Sequence, residues 1–335
     1  MSYNKRLPYI DIAKGVLIWM VIIGHVYYFL CRKRFDPTFS LISPICSFLW
    51  VPYNMPAFFI ITGICSNFEK DFLTFFKSNF KTLKIPAITL TAIWLLVRKI
   101  CSGETDPISY LHLGLVNSWI SSDYWFLDAL FLTKMTYWLI HKFIKKETMR
   151  FFICLLFYCA GFYLTNYTEI REIGAYKHAM LLMIFLYIGT YIKKFEISKT
   201  ITFICLGLYI AFSFFNQLVG IGQPDISGGI KLTNINFILC LFQATLGSIG
   251  IIGLCKIWGE NRFFEYCGRK SLIFYCVHIM CLFEIKEFFI DYMPQENIIL
   301  SVLTHIAILL FVFIVCSGAA WLFDTKYGKY IVGKF

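Results

Sequence analysis

Apolar stretches of roughly 17 to 25 residues alternate with short polar segments along the whole chain. Each stretch is long enough to cross about 30 Å of hydrocarbon as an α-helix. Backbone groups in lipid must form hydrogen bonds within their own segment, so the stretches predict helices. Segments of about ten residues in which apolar and polar residues alternate, which are typical of membrane β-barrels, do not occur. The predicted helices cover residues 8–30, 43–66, 82–101, 124–141, 151–167, 178–192, 200–219, 235–256, 271–290 and 298–322.

These ten segments predict an all-α, polytopic integral membrane helical bundle, organised as a single domain over residues 1–335. The polar segments that share one side of the membrane with the N-terminus hold about twice as many Lys and Arg residues as the segments on the opposite side. We therefore expect both termini in the cytoplasm and a multi-pass protein of the plasma or inner membrane. Lys5 and Arg6 precede the first apolar run, which lacks a cleavage pattern and is expected to remain as the first span.

Composition agrees with this interpretation, since 59% of the 335 residues are hydrophobic and only 15% are charged. The net charge of +11 could indicate nucleic-acid binding. However, the basic residues cluster between the apolar stretches, so we expect the lipid bilayer and no nucleic acid as a partner. The 13 cysteines lie mostly inside predicted spans and show no metal-ligand spacing. We interpret them as packing residues and expect no metal site.

The first predicted helix, within "YIDIAKGVLIWMVIIGHVYYFL", carries the ionisable residues Asp11, Lys14 and His25. At 100° per residue all three fall within an arc of roughly 60°, and Lys14 and His25 are about 16 Å apart along the axis. Such a polar stripe is expected to face the bundle interior or a water-filled cavity. Lys14 and Asp11 could instead snorkel to the membrane surface, and His25 could simply bond to a neighbouring helix.

Four segments carry a resemblance to a known family. "YIDIAKGVLIWMVIIGH" is similar to the opening helix of the membrane acyltransferase-3 family, the O-acyltransferases of cell-envelope polysaccharides, and in particular to its fucose-4-O-acetylase-like branch. That helix carries a basic residue, ten others and then histidine, which is the spacing of Lys14 and His25. The other three segments are "NMPAFFIITGICS" (Asn54–Ser66), "YWFLDALFL" (Tyr124–Leu132) and "CGRKSLIFYCVH" (Cys267–His278).

The resemblance implies an O-acetyltransferase that moves an acyl group, usually acetyl from cytoplasmic acetyl-CoA, to a sugar hydroxyl of a surface or lipid-linked polysaccharide. It implies no permanently bound cofactor, because acetyl-CoA or another acyl-CoA is the donor substrate. His25 suits a general base, since histidine titrates near neutral pH. The resemblance also places Lys14 and Asp11 at the donor site. The family usually has arginine at the position of Lys14, and lysine cannot form the two parallel hydrogen bonds that a guanidinium makes with a phosphate.

Further candidates lie on other predicted helices. Ser271, Tyr275 and His278 share one helix face, and His278 is the second catalytic candidate, as a base or as a hydrogen-bond donor to the thioester carbonyl. For substrate binding, Tyr275 and Ser271 join three residues from the other matching segments: Trp125, Asp128 and Asn54. Trp125 could stack on a sugar or belong to an interfacial belt, and Asp128 could orient a histidine. Asn54, beside Pro56, could bond backbone groups that a kink frees.

Two other functions fit the same residues. A proton-coupled secondary transporter would also bury His, Asp and Lys within a helical bundle, although no repeat relates the two halves of the chain. A non-catalytic partner in polysaccharide assembly is the other alternative, and the lysine at position 14 is the feature that favours it. The sequence leaves the oligomeric state unknown.

Overall fold

The computed structural model describes residues 7–27, 45, 48–102, 124–167, 174–221, 223–224, 234–292 and 297–334, and within these ranges it contains helices and no strands. The longer helices are α1 (Pro8–Val26), α2 (Asn54–Cys65), α3 (Phe72–Asn79), α4 (Ile85–Ser102), α5 (Trp125–Phe143), α6 (Glu147–Tyr167), α7 (Gly174–Ile192), α8 (Lys199–Leu218) and α9 (Asn234–Trp258). They are followed by α10 (Arg262–Arg269), α11 (Ser271–Tyr292), α12 (Ile298–Leu322) and α13 (Gly328–Ile331).

The all-helical membrane fold is confirmed. Every predicted range overlaps a helix of the structure. Within the described residues, seven helical stretches are long and apolar enough to span a membrane, and they are Pro8–Val26, Phe72–Val97, Glu147–Tyr167, Ala175–Ile192, Lys199–Leu218, Phe237–Trp258 and Ile298–Leu322. The figure of ten spans and the cytoplasmic termini stay predictions. The short helices α10 and α13 were not predicted, because each is too short to give a periodic signal.

The second predicted helix, 43–66, is interrupted. A turn occupies residues 50–53, and α2 begins at Asn54. Pro56 therefore lies in the first turn of a helix. Backbone N–H groups in the first turn have no acceptor within the helix, so a proline there costs no hydrogen bond. The expectation that Asn54 sits mid-helix beside a proline kink was wrong, because the chain makes a new helix start there instead.

The third predicted helix, 82–101, starts ten residues too late. The helical stretch begins at Phe72, where the Asp71 side chain caps it by accepting a 2.8 Å hydrogen bond from the Thr74 backbone. A π-helical turn, Phe80–Lys84, joins α3 to α4. Pro86 follows it, and the wider turn relieves the clash that a proline ring makes with the carbonyl four residues earlier. Consequently Lys84, predicted near the start of a helix, lies well inside the stretch Phe72–Val97, which is long and apolar enough to span a membrane.

The chain forms two compact units, each assembled from segments that are far apart in sequence. The first comprises Met1–Phe58, Ile197–Pro224 and Ile238–Trp321, and the second comprises Phe59–Glu196, Asp225–Phe237 and Leu322–Phe335. In the first unit α1 packs on α10 and α11. In the second unit α7 packs on α5 and α6.

Glycine and arginine contacts fix the helices of the second unit. A methyl group on Gly63 would collide with the carbonyl oxygen of Leu186, and one on Gly189 would collide with that of Ile60, so α2 and α7 cross at backbone contact. The buried Arg150 donates hydrogen bonds of 2.7 Å and 3.0 Å to two carbonyls at the end of α5, one from Nε and one from Nη2. Arg150 thus satisfies acceptors that the helix end leaves without backbone partners.

Candidate active site

A close crossing of α1 and α10 holds the first helix of the first unit in place. Gly15 of α1 lies against the backbone of Phe264, and Gly268 of α10 lies against the carbonyl group of Asp11. A side chain at either glycine would collide with main-chain atoms of the other helix. The Trp19 indole N–H adds a hydrogen bond to the Cys267 sulfur at 3.3 Å. Since glycines allow this approach, the position of α1 is set by backbone contact.

The same unit brings His25 of α1 and His278 of α11 together. Nδ1 of His25 lies 2.8 Å from Nε2 of His278, and the two rings are nearly parallel, with 13° between their planes. His278 is fully buried, whereas His25 is partly accessible. Two residues 253 positions apart in the sequence thus form one hydrogen-bonded pair.

The hydrogen bonds determine which nitrogen of each neutral ring carries its proton. Nδ1 of His278 lies 2.7 Å from the carbonyl oxygen of Phe274, which can only accept, so Nδ1 is the protonated nitrogen. Nε2 of a neutral His278 then holds a lone pair and must accept from Nδ1 of His25. It follows that a neutral His25 has its own lone pair on Nε2. The pair therefore presents Nε2 of His25 as the atom that can take up a proton.

Two more predicted residues lie on α11. Tyr275 is buried, and its ring centroid is 6.1 Å from that of His278. Ser271 is the first residue of the helix, about 10 Å along the axis from His278. The structure thus keeps Tyr275 beside the histidine pair and places Ser271 two turns away from it.

The other end of the α1 stripe is a cluster of charged side chains. The buried Asp11 carboxylate lies 3.7 Å from Nζ of Lys14 and 3.9 Å from Nε of Arg269, on α10. Arg269 also bonds to Glu265, one turn earlier on the same helix. Lys14 and Arg269 keep 29% and 49% of their side chains exposed, so both cations are accessible to a ligand. Arg269 was not predicted, because nothing in the sequence shows that α10 packs on α1.

Trp125 and Asp128 belong to the second unit. The Trp125 ring packs on that of His178, with centroids 4.3 Å apart. Asp128 forms a buried ion pair with Lys84, at 2.6 Å from Nζ to Oδ1. Neither His178 nor Lys84 was a candidate from the sequence, since nothing in the sequence places His178 beside Trp125 or Lys84 beside Asp128.

Asn54 and His305 complete the buried polar groups considered for the first unit. Asn54 is buried, and its Oδ1 has no hydrogen-bond partner among the described residues. His305 of α12 donates from Nδ1 to the carbonyl oxygen of Ser301 at 2.7 Å, and Tyr27 stacks on its ring. These contacts indicate a packing role for His305. In the described part of the chain, no group of His, Cys, Asp and Glu could hold a metal ion.

Comparison with known proteins agrees with the motifs of the sequence. A family model described as an acyltransferase domain, of the acyltransferase-3 type, matches residues 7–322. Neither the curated proteins nor the solved structures contain a match. The family match covers both units, and it confirms the predicted family while the fucose-4-O-acetylase-like branch stays a prediction. The chain, a multi-pass membrane protein, therefore belongs to the membrane acyltransferase-3 family.

Proposed function

We propose that this acyltransferase moves an acetyl group from acetyl-CoA to a sugar hydroxyl of a cell-surface or lipid-linked polysaccharide, in the plasma or inner membrane. His25 is the general base, and His278 is the residue that orients it. The observation that carries the proposal is the directed hydrogen-bond chain from His25 through His278 to the carbonyl of Phe274.

The reaction follows from this chain. Nε2 of His25 takes the proton of the sugar hydroxyl while the hydroxyl oxygen attacks the thioester carbonyl carbon. A carbon–oxygen bond forms, the carbon–sulfur bond breaks, and the proton passes from His25 to the departing thiolate. During the step the His25 imidazolium is stabilised by its hydrogen bond to the lone pair of His278, as an orienting group stabilises the base in a catalytic triad.

The charged cluster on α1 and α10 supports a donor site. Lys14 and Arg269 are accessible cations, and Asp11 lies between them. A guanidinium offers a phosphate two parallel N–H groups, which the ammonium of Lys14 cannot. Lys14 lies about 16 Å along α1 from His25. A donor such as acetyl-CoA, whose phosphates are remote from its thioester, can bind at one end and react at the other.

The test uses membranes from cells that make a surface glycan and express the protein, supplied with radiolabelled acetyl-CoA. We expect label in the glycan with the wild type, and a loss of about 10²–10⁴-fold in rate for His25→Ala. The matched control is His305→Gln, which alters a buried histidine of the same unit and should transfer label normally. Uptake of a solute without consumption of acetyl-CoA would overturn the proposal in favour of a transporter.

The donor site is tested separately from the base. Lys14→Met and Arg269→Gln should each raise the KM for acetyl-CoA and leave kcat nearly unchanged, because they remove binding that is equal in ground and transition states. An unchanged KM in both variants would contradict the assignment of this cluster to the donor.

A further inference from the structure

The ends of three packed helices in the second unit carry an excess of positive charge. Residues 142–150, where α5 ends and α6 begins, and residues 193–196, which follow α7, together hold six Lys or Arg and two Glu. An ion pair of 3.1 Å between Lys194 and Glu147 joins the two segments. Both α6 and α7 are long and apolar enough to span a membrane. The excess of charge therefore lies at one boundary of the bilayer.

Most of this charge is not neutralised by acidic side chains. Glu147 is shared by Arg150 and Lys194, at 2.9 Å and 3.1 Å. Glu69 lies 2.7 Å from the His141 ring and is attracted by Lys145 only from beyond ion-pair distance. Three of the cations are exposed lysines that form no hydrogen bond or ion pair within the described residues, and they are Lys142, Lys145 and Lys146.

The backbone that carries these lysines is fixed by Arg150. The buried guanidinium donates hydrogen bonds to the carbonyl oxygens of His141, at 3.0 Å, and Ile144, at 2.7 Å. The connection between α5 and α6 is only three residues long, so both of its ends are also held by helices. Groups that are ordered before a ligand arrives lose less entropy on binding, and the three ammonium groups extend from such an ordered backbone.

Exposed aromatic rings accompany the lysines. Phe143, the last residue of α5, is 74% exposed, and Phe195, just after α7, is 60% exposed. Both rings lie where the helices leave the bilayer, beside the free cations. The boundary between lipid headgroups and acyl chains favours an apolar ring next to a basic side chain, whereas water alone does not.

The ligand has to match both the cations and the rings. Three free ammonium groups attract a phosphate with net negative charge. A zwitterionic headgroup such as phosphatidylcholine brings its own cation, which the lysines repel. A soluble phosphate compound would leave Phe143 and Phe195 in water. A phospholipid with an anionic headgroup matches both features, since its phosphate meets the lysines and its acyl chains meet the rings.

We infer that the three lysines, Phe143 and Phe195 form a docking surface for an anionic phospholipid. The phosphate binds to the ammonium groups, and the glycerol and upper acyl chains pack on the two rings. The inference does not depend on the proposed function, because none of these residues belongs to the histidine pair or to the charged cluster of α1 and α10.

The test is native mass spectrometry of the full-length protein in detergent, titrated separately with dioleoyl phosphatidylglycerol and dioleoyl phosphatidylcholine. We expect the wild type to bind phosphatidylglycerol at least about tenfold more tightly. The triple variant Lys142→Gln, Lys145→Gln and Lys146→Gln should bind it about 10²-fold more weakly, because each lysine near a charged lipid contributes a factor of about five. Its affinity for phosphatidylcholine should be unchanged.

Two controls separate the docking surface from a general effect of charge. The triple arginine variant at the same three positions keeps the cations and should keep the affinity for phosphatidylglycerol. Another triple variant removes equal charge from the C-terminal segment and should also bind normally, and it carries Lys326→Gln, Lys329→Gln and Lys334→Gln.

The aromatic part of the surface is tested by Phe143→Ala. Loss of the ring should weaken the binding of phosphatidylglycerol by about tenfold, because about half of a buried phenylalanine's apolar stabilisation is removed. Phe203→Ala is the matched control, since Phe203 is 59% exposed but lies on α8, outside the docking surface.

Equal affinity of the wild type for the two lipids, or wild-type affinity for phosphatidylglycerol in the triple glutamine variant, overturns the inference. Binding of glycerol 3-phosphate as tightly as phosphatidylglycerol also overturns it, in favour of a soluble phosphate ligand. If His25→Ala transfers acetyl normally while the triple glutamine variant loses phosphatidylglycerol, the proposed base is wrong and the docking surface stands.

Discussion

Replacement of Gly268 by alanine tests whether backbone contact between α10 and α1 positions the histidine pair. The added methyl group would collide with the carbonyl oxygen of Asp11 and lie 2.9 Å from the backbone nitrogen of Gly15. Both atoms belong to the main chain of α1, so no side-chain rotation relieves the contact and the two helices must separate. Overpacking of this kind typically costs about 1–3 kcal/mol of stability.

The separation of the helices should also reduce activity. His25 is carried by α1, and its hydrogen bond to His278 is only 2.8 Å long. A displacement of about 1 Å at a reacting group can cost about 10²-fold in rate. We therefore expect Gly268→Ala to lower acetyl transfer by about 10²-fold, even when the rate is normalised to the amount of folded protein.

The assay combines thermal unfolding of the purified protein with the radiolabelled transfer assay. Gly207→Ala is the control, because a methyl at Gly207 of α8 meets nothing within 4 Å among the described residues. Alanine is favoured over glycine within a helix by about 1 kcal/mol, so this control should be as stable as the wild type or slightly more so. Wild-type stability and rate in Gly268→Ala would refute the idea that this crossing positions His25.

Three further predictions concern the second unit. Lys84→Met alone should destabilise the protein by about 3–5 kcal/mol because it leaves Asp128 charged and buried, whereas adding Asp128→Leu should recover most of the loss in a thermal-unfolding double-mutant cycle. Gly63→Ala should lower the unfolding temperature through its collision with a carbonyl of α7, by an amount that reflects about 1–3 kcal/mol. A hydrogen bond from His141 holds the pKa of Glu69 below its usual value, so this stabilisation is complete above the usual pKa of a glutamate and is lost as the pH falls through the lowered value. The melting-temperature difference between the wild type and Glu69→Gln should accordingly be small at neutral pH and vanish in acid.

The sequence was sufficient to predict the membrane fold, because the signals for it are local. A continuous apolar stretch of spanning length predicts a helix without knowledge of its neighbours. The predicted helix boundaries were wrong where the local sequence signal was ambiguous. The apolar run through 43–66 continues across the turn at 50–53, and the basic residues Lys77 and Lys81 suggested a loop although they lie on a helical stretch.

The site was predictable only as a set of separate candidates. The spacing of Lys14 and His25 made these two residues of the first helix candidates, and the family-like segment near the C-terminus added His278. Their contact could not be predicted, since it depends on the packing of α1 against α10 and α11 through Gly15 and Gly268. Arg269 was missed for the same reason. The Lys84–Asp128 pair was missed because two charged residues become buried together only through a tertiary contact, and the sequence alone does not show that contact.

The central claim is that Nε2 of His25 accepts the proton of the acceptor hydroxyl, and imidazole rescue of His25→Ala tests it most directly. The initial rate of acetyl transfer is measured for the purified variant with increasing imidazole. We expect a rate about 10²–10⁴-fold below the wild type, which rises with the concentration of neutral imidazole while His305→Gln shows no response. Transfer by His25→Ala at the wild-type rate without imidazole would contradict the claim.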